Sequence, residues 1–191
     1  MAPLPRGLFD DDLPDGFRYR ASFITPEEEA ALLREIGQVQ FSAFEMRGAV
    51  ARRRVAFLGR SYEAGRLDTP PIPAFLLPLR ERLGAWSGIA PEAFAMALIN
   101  EYPSGAPIGW HRDAPQYDRV AGLSLLSPCR MKLRPYRRPD LPHAGRRAAT
   151  HEITLEPRSA YLITGTARTH YEHHIPAVSA LRYSITFRTL R

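Results

Sequence analysis

Cysteine, lysine and long apolar runs are what this sequence of 191 residues has least of. With Cys129 as its single cysteine no internal disulfide can form, which fits a reducing compartment, most simply the cytoplasm. That thiol is expected to act as a small buried hydrophobe. No stretch reaches the roughly eighteen apolar residues of a membrane span. The N-terminal stretch places Asp10, Asp11 and Asp12 among Pro3, Pro5 and Pro14, where an export signal would have a basic start and an apolar run. A protein that is soluble, not exported and without a membrane partner is expected. Internal repeats and low-complexity tracts are absent too, so neither a solenoid nor a disordered tail is indicated. Lys132 is the only lysine, so the net charge of +6 is carried by arginine. That balance favours polyanionic partners without requiring them.

With 45% hydrophobic and 10% aromatic residues, the chain can bury one good core, and residues 1–191 are expected to form a single domain. A helix is predicted over about Thr25 to Gln38. Thr25 is the N-cap, Pro26 takes the first helical position, Glu28 completes a capping box, and Leu32, Leu33 and Ile36 form the buried stripe. A second helix is predicted over about Phe75 to Trp86, with Leu76, Leu79, Leu83 and Trp86 on one face and an exit at Ser87-Gly88. From Phe94 onward short apolar or alternating runs take over: Phe94 to Tyr102, Val120 to Leu126, Met131 to Tyr136, His151 to Leu155, Ala160 to Thr164 and Leu181 to Thr189. Earlier strands are expected at Phe17 to Phe23, Gln40 to Arg47 and Arg52 to Leu58. Many short strands with two outer helices argue for a mainly β fold with peripheral helices (α+β), a sandwich or jelly roll. Residues 1–93 are expected to supply supporting helices and a cover over the substrate site, and residues 94–191 the catalytic core.

His111 and Asp113 are two residues apart, so on an extended segment both leave the same face, with backbones roughly 7 Å apart. One metal ion can bridge them. A second histidine would complete a two-histidine, one-carboxylate set that leaves open positions on iron(II), and His143, His151, His170, His173 and His174 are the candidates. Two solvated polar residues would explain an isolated H-x-D pair equally well. The last strand changes that balance. In Arg182-Tyr183-Ser184-Ile185-Thr186-Phe187-Arg188, Arg182, Ser184, Thr186 and Arg188 share one face, which puts two guanidinium groups into an interior. Unpaired buried arginines are too costly to persist, and a small dicarboxylate would neutralise them through the planar guanidinium fork. In Phe94 to Tyr102 the same alternation groups Met96, Leu98, Asn100 and Tyr102, ending in two hydrogen-bonding side chains shortly before His111.

Asn100-Glu101-Tyr102, His111-x-Asp113, Gly165-x-Ala167-Arg168 leading to His173, and the Arg182 to Arg188 strand occur in this order. Together they resemble the AlkB family of 2-oxoglutarate- and Fe(II)-dependent dioxygenases. The likeness covers about residues 94 to 190 and extends faintly to Arg52-Arg53-Arg54-Val55 and Tyr62. It implies a double-stranded β-helix (jelly-roll) core, with Fe(II), 2-oxoglutarate and O2 as cofactor and cosubstrates. It implies His111, Asp113 and His173 as metal ligands. Tyr102 and Arg182 are implied at the distal 2-oxoglutarate carboxylate, with Ser184 beside them, and Asn100 and Arg188 near the carboxylate that chelates iron. Two positions depart from the family pattern: Ser184 replaces a common asparagine, and Pro115 stands where nucleic-acid repair members carry an acidic residue that helps read the damaged base.

The resemblance further implies oxidative demethylation of alkylated DNA or RNA bases, a repair reaction on DNA damage. Hydroxylation of an N-methyl group gives a hemiaminal that loses formaldehyde, while 2-oxoglutarate becomes succinate and CO2. Phe41, Phe44, Phe57, Tyr62 and Trp110 are available to stack on a base. Arg52, Arg53 and Arg54, with Arg134, Tyr136, Arg137 and Arg138, are placed to follow phosphates. Of these, Tyr62, Trp110, Arg54 and Arg137 are the candidate substrate contacts. A protein side chain or small metabolite as substrate is the alternative, and a non-catalytic nucleic-acid-binding domain is the second alternative. A monomer with no obligate protein partner is expected.

Overall fold

The computed structural model describes residues 13–46, 49–60, 69–136 and 149–191. Alternating or continuous apolar runs become eleven strands among these residues: β1 (Phe17–Arg20), β2 (Ser42–Met46), β3 (Ala49–Gly59), β4 (Phe94–Tyr102), β5 (Ile108–His111), β6 (Tyr117–Leu125), β7 (Cys129–Pro135), β8 (His151–Leu155), β9 (Ala160–Ile163), β10 (Tyr171–Ile175) and β11 (Arg182–Leu190). Three helices accompany them: α1 (Pro26–Ile36), α2 (Leu77–Ser87) and the short α3 (Gly165–Thr169). No helix among the described residues is long and apolar enough to cross a membrane.

The strands form a larger sheet in the order β1-β9-β6-β11-β4-β3-β2 and a smaller one in the order β5-β10-β7-β8, with antiparallel pairing throughout. This is a jelly roll with helices on one side. Each strand of the larger sheet divides its side chains between two layers, because successive residues point to opposite faces. Ile185 and Phe187 of β11, Ala97 and Ile99 of β4 and Leu123 of β6 pack with Ile36, Leu76, Leu79 and Leu83 of the helical layer. The other face looks toward the smaller sheet, whose Cys129, Met131, Leu133 and Ile175 pack against Tyr102, Val120, Tyr161 and Ile163.

One difference from the sequence reading bears on the site. The strands β5 and β10 are not indicated by hydrophobic pattern, since both are short and carry histidines and other polar residues; pairing to β7 and to each other makes them strands. The three strands expected before residue 94 form and join the larger sheet: β1 pairs with β9, and β3 pairs with β2 and β4. The helices follow their local signals closely. Thr25 accepts from the Glu28 amide at 3.2 Å, the Thr25 amide donates to Glu28 Oε2 at 2.8 Å, and Gly88 ends α2 in the left-handed region at φ 75°. Replacing Thr25 with alanine removes the cap and is expected to lower unfolding free energy by about 1 kcal/mol in urea titration, with the spectroscopic helix content of the native state unchanged.

Candidate active site

The site lies between the sheets, where β11 presents its polar face. Its registers place three rows of side chains side by side: Tyr102 beside Arg182, Asn100 beside Ser184 and Ser124, and Leu98 beside Thr186 and Gly122. Arg182 is 1% exposed, with its guanidinium carbon 4.6 Å from the centre of the Tyr102 ring. One of its amino groups donates to Ser124 Oγ at 3.1 Å, while Nε and Nη1 are buried and have no hydrogen-bond partner. Two desolvated donors on a fully buried cation demand an acceptor, and a carboxylate meets both. Asn100 Nδ2 lies 3.5 Å from Ser184 Oγ, and both residues are buried.

At the other end of the same strand, Arg188 donates to Asp113 Oδ1 through Nη2 at 2.9 Å and Nε at 3.2 Å, and to Thr186 Oγ1 through Nη1 at 2.9 Å. Asp113 is not on a strand: β5 ends at His111, and the chain turns so that Arg112 and Asp113 belong to the loop before β6. The same-face argument from an extended H-x-D segment therefore does not describe it. Arg168, buried on α3, holds that loop through one amino group, which donates to the carbonyls of Asp113, Ala114 and Tyr117 at 3.2, 2.8 and 2.6 Å.

His173 comes from β10 in register with His111 of β5, and their ring centres are 4.2 Å apart. His173 Nε2 lies 3.9 Å from Asp113 Oδ2, the oxygen that Arg188 does not hold, and His111 Nδ1 is 2.8 Å from the Gly109 carbonyl. Among the described residues no three His, Cys, Asp or Glu side chains are drawn into a complete metal-binding group. The three expected ligands are nevertheless neighbours, and their charge states suit a dication. Burial and then the His111 ring push the His173 imidazole down to about 3, and burial lowers His111 as well, so both stay neutral. Burial raises Asp113, but Arg188 and the two histidines more than reverse this, and its carboxyl lies well below the usual range.

The other candidates separate cleanly. His174 turns its Nδ1 to the Ile108 carbonyl at 2.6 Å and stacks on Trp110, while His151 sits on the outer strand β8 and His170 on the exposed end of α3. His143, Tyr62 and Arg137 lie outside the described residues. Arg54 does not face the site. It pairs in register with Glu101, on the helix-facing side of the sheet, and forms a two-point ion pair with it at 2.8 and 2.9 Å. Period two decides this: Arg53, Val55 and Phe57 face inward, and the residues between them cannot. Trp110 alternates with His111 in the same way, so its ring lies between His174 and the Arg134 guanidinium, 4.0 Å from the latter, at the rim of the site.

Several residues were not singled out from sequence. Tyr161 of β9 lies over Gly122, where a Cβ would come within 2.3 Å of its ring, and burial raises its phenol. Nothing in the β9 run marks Tyr161, but a glycine in mid-strand at Gly122 is a sign of close approach. Above the histidines opens a cavity of about 860 Å³, lined in part by Arg53, Phe44, Phe57, Pro115, Tyr136 and Glu172.

Known proteins match this architecture. A sequence model of the 2OG-Fe(II) oxygenase superfamily matches residues 16–188. The Arabidopsis thaliana protein described as an alkylated DNA repair protein ALKBH8 homolog is 29% identical over 194 residues, covering 91% of this chain and 54% of its own length. The chain thus spans about half of that relative. The structure of OsALKBH1 aligns with a TM-score of 0.68 at 15% identity, over 93% of this chain and 99% of the other. A Pseudomonas putida prolyl-4-hydroxylase aligns at 0.60 and 12% identity, over 92% and 93% of the two chains. At such identities these two likenesses concern the fold.

Neutral His173 gives the metal-free protein a defined acid response. Between about 6.5, where an unfolded imidazole titrates, and about 3, where the folded one does, the unfolded chain holds the extra proton. Stability therefore falls as pH drops through that window, while Asp113 adds its own loss only below about 3.9, where an unfolded aspartate titrates. In urea titrations from pH 6 to 4.5 in the presence of chelator, His173→Gln is expected to reduce the slope of stability against pH by up to about 1.4 kcal/mol per pH unit. An unchanged slope would show that His173 is not held neutral.

Proposed function

The chain belongs to the 2OG-Fe(II) oxygenase superfamily and is an AlkB-like dioxygenase that uses Fe(II), 2-oxoglutarate and O2; from that premise we propose that it oxidatively demethylates alkylated DNA or RNA bases. In this reading His111, Asp113 and His173 hold the iron. The fit rests on the donor set: two neutral imidazoles and one carboxylate whose Oδ2 is not taken by Arg188. When bound, the metal with 2-oxoglutarate and O2 supplies the oxidising chemistry, turning the keto acid into succinate and CO2 while one oxygen atom enters a substrate C–H bond. An N-methyl group so hydroxylated leaves as formaldehyde, and the ring nitrogen regains a proton or its lone pair.

The chain's own residues bind, orient and exclude water. Arg182, with Tyr102 packed against it and Ser184 and Ser124 in the adjoining row, takes the distal carboxylate of 2-oxoglutarate through the two donors that have no other partner. That buried, half-satisfied guanidinium is the observation that carries the cosubstrate assignment. Tyr161 closes the room over Gly122, and its protonated phenol is a further donor within it. Arg188 holds Asp113 in place and Arg168 holds the loop that bears it, so the carboxylate is oriented before any ligand arrives.

Support for a nucleic-acid substrate comes from the surroundings: a net charge of +6, a cavity lined by Arg53, Arg112 and Arg191 with aromatic Phe44 and Tyr136, and a relative described as an alkylated-DNA repair protein. Pro115, which brings no charge to that lining, favours the second reading, a protein side chain or small metabolite handled by the same chemistry.

Anaerobic loading with Fe(II) and 2-oxoglutarate, then oxygen and methylated oligonucleotides, is expected to release formaldehyde and succinate in equal amounts. Succinate formation stimulated by peptides or metabolites but not by oligonucleotides would move the substrate to the second reading. His111→Ala should lose turnover by more than the about hundredfold typical of losing a ligand's outer partner. Arg182→Met should raise the KM for 2-oxoglutarate about tenfold or more, with iron affinity little changed.

A further inference from the structure

Most charged groups around the cavity above His111 are already matched. Arg188 is committed to Asp113, Arg168 to three loop carbonyls, and Glu172 to Arg134 Nε at 2.5 Å. Arg53, unlike these three, has no hydrogen-bonding or acidic partner for its guanidinium among the described residues. It reaches the cavity from the inward face of β3, its guanidinium carbon 4.1 Å from the centre of the Phe44 ring, and its Nε is buried without a hydrogen-bond partner. Burial disfavours its charge, and Arg188 nearby does so too, yet a guanidinium keeps its proton at ordinary pH. The lining beside it is apolar at Phe57, Met96 and Leu98. Of the two carboxylates in the described lining, Asp113 is held by Arg188 through Oδ1 and given to the metal in the reading above, and Glu172 is paired with Arg134.

A desolvated guanidinium over an aromatic ring is a receptor for a planar group with an electron-rich edge. It donates to a carbonyl oxygen lying in its plane, and that bond also satisfies a donor that otherwise remains unmet. A cationic base in the same place would hold two like charges together in a medium that screens them poorly. Methylation at a ring nitrogen that carries only a lone pair, as in N1-methyladenine or N3-methylcytosine, makes the base cationic. Methylation that replaces a ring N–H, as in N3-methyluracil or N1-methylguanine, leaves it neutral with a carbonyl beside the methyl group.

We infer that Arg53 is a specificity-determining residue that makes this enzyme prefer neutral, carbonyl-bearing methylated bases to cationic ones. The inference rests on the nucleic-acid reading proposed above. It is tested with the full chain on single-stranded oligonucleotides identical except for one base: N3-methyluracil or N1-methylguanine against N1-methyladenine or N3-methylcytosine. Formaldehyde release should favour the neutral pair in kcat/KM by about tenfold or more, Arg53→Gln should bring the ratio to within about twofold of unity, and Arg53→Lys should retain part of the preference. The same order should appear in binding measured by fluorescence anisotropy without oxygen, with Mn(II) and 2-oxoglutarate present. Equal or better use of the cationic bases by the unaltered protein, or a ratio that Arg53→Gln leaves unchanged while the variant still binds 2-oxoglutarate, overturns the role of Arg53 and leaves the demethylase reading standing. If 2-oxoglutarate binds and no oligonucleotide is either bound or turned over, the nucleic-acid reading itself has failed and this inference falls with it.

Discussion

Burying two guanidinium groups on one strand is the constraint around which this molecule is arranged. β11 lies near the middle of the larger sheet, between β6 and β4, so its inward side chains are almost wholly buried. A charge in that position persists only with partners. Arg188 finds Asp113, and this ion pair pulls the loop after β5 into the space between the sheets. Arg182 finds one hydroxyl and an aromatic face, and keeps two donors for a ligand. The strand thus anchors a carboxylate at one end and carries a buried guanidinium with two unmet donors at the other.

The smaller sheet supplies the remaining chemistry through register. Because His173 stands opposite His111 across β10 and β5, two imidazoles separated by 62 positions in the chain lie face to edge beside the carboxylate. Burial keeps both rings neutral, and the rise that the same burial gives Asp113 is more than reversed with Arg188 beside it. Arg168 links these parts, since it leaves α3 just before β10 and grips the loop that carries Asp113. Charge balance also separates the room around Arg182 from the cavity above the histidines: one contains a buried cation with two unmet donors, the other a cation over an aromatic ring beside acids already paired with arginine.

Much of this was legible in the residues, for identifiable reasons. The capping box at Thr25 and Glu28, the alternation from Met96 to Tyr102 and the polar face of Arg182 to Arg188 are local patterns, and each reappears in the structure as a helix start or one face of a strand. Strands β5 and β10 were not legible, because five or fewer residues rich in histidine and other polar groups carry no usable period. Arg53, Arg54 and Trp110 show the limit from another side. All three are in or near suggestive clusters, but which of them meets the site depends on which face of the strand is turned inward, and neighbouring residues necessarily disagree.

Composition, capping signals and strand periodicity were enough to establish the fold class and the identities of polar groups, Arg182 and Arg188 among them, that end up buried. They could do so because these properties depend on neighbours a few residues away. The choice of His173 over the other histidines rested on family resemblance; strand pairing places its ring beside His111 and Asp113. Tertiary structure alone decided the placement of Asp113 in a loop, the closing of Tyr161 over Gly122 and the exclusion of Arg54. Those outcomes depend on sheet register and on the packing of one sheet against another, quantities that bring together residues far apart in the chain and that no local pattern encodes.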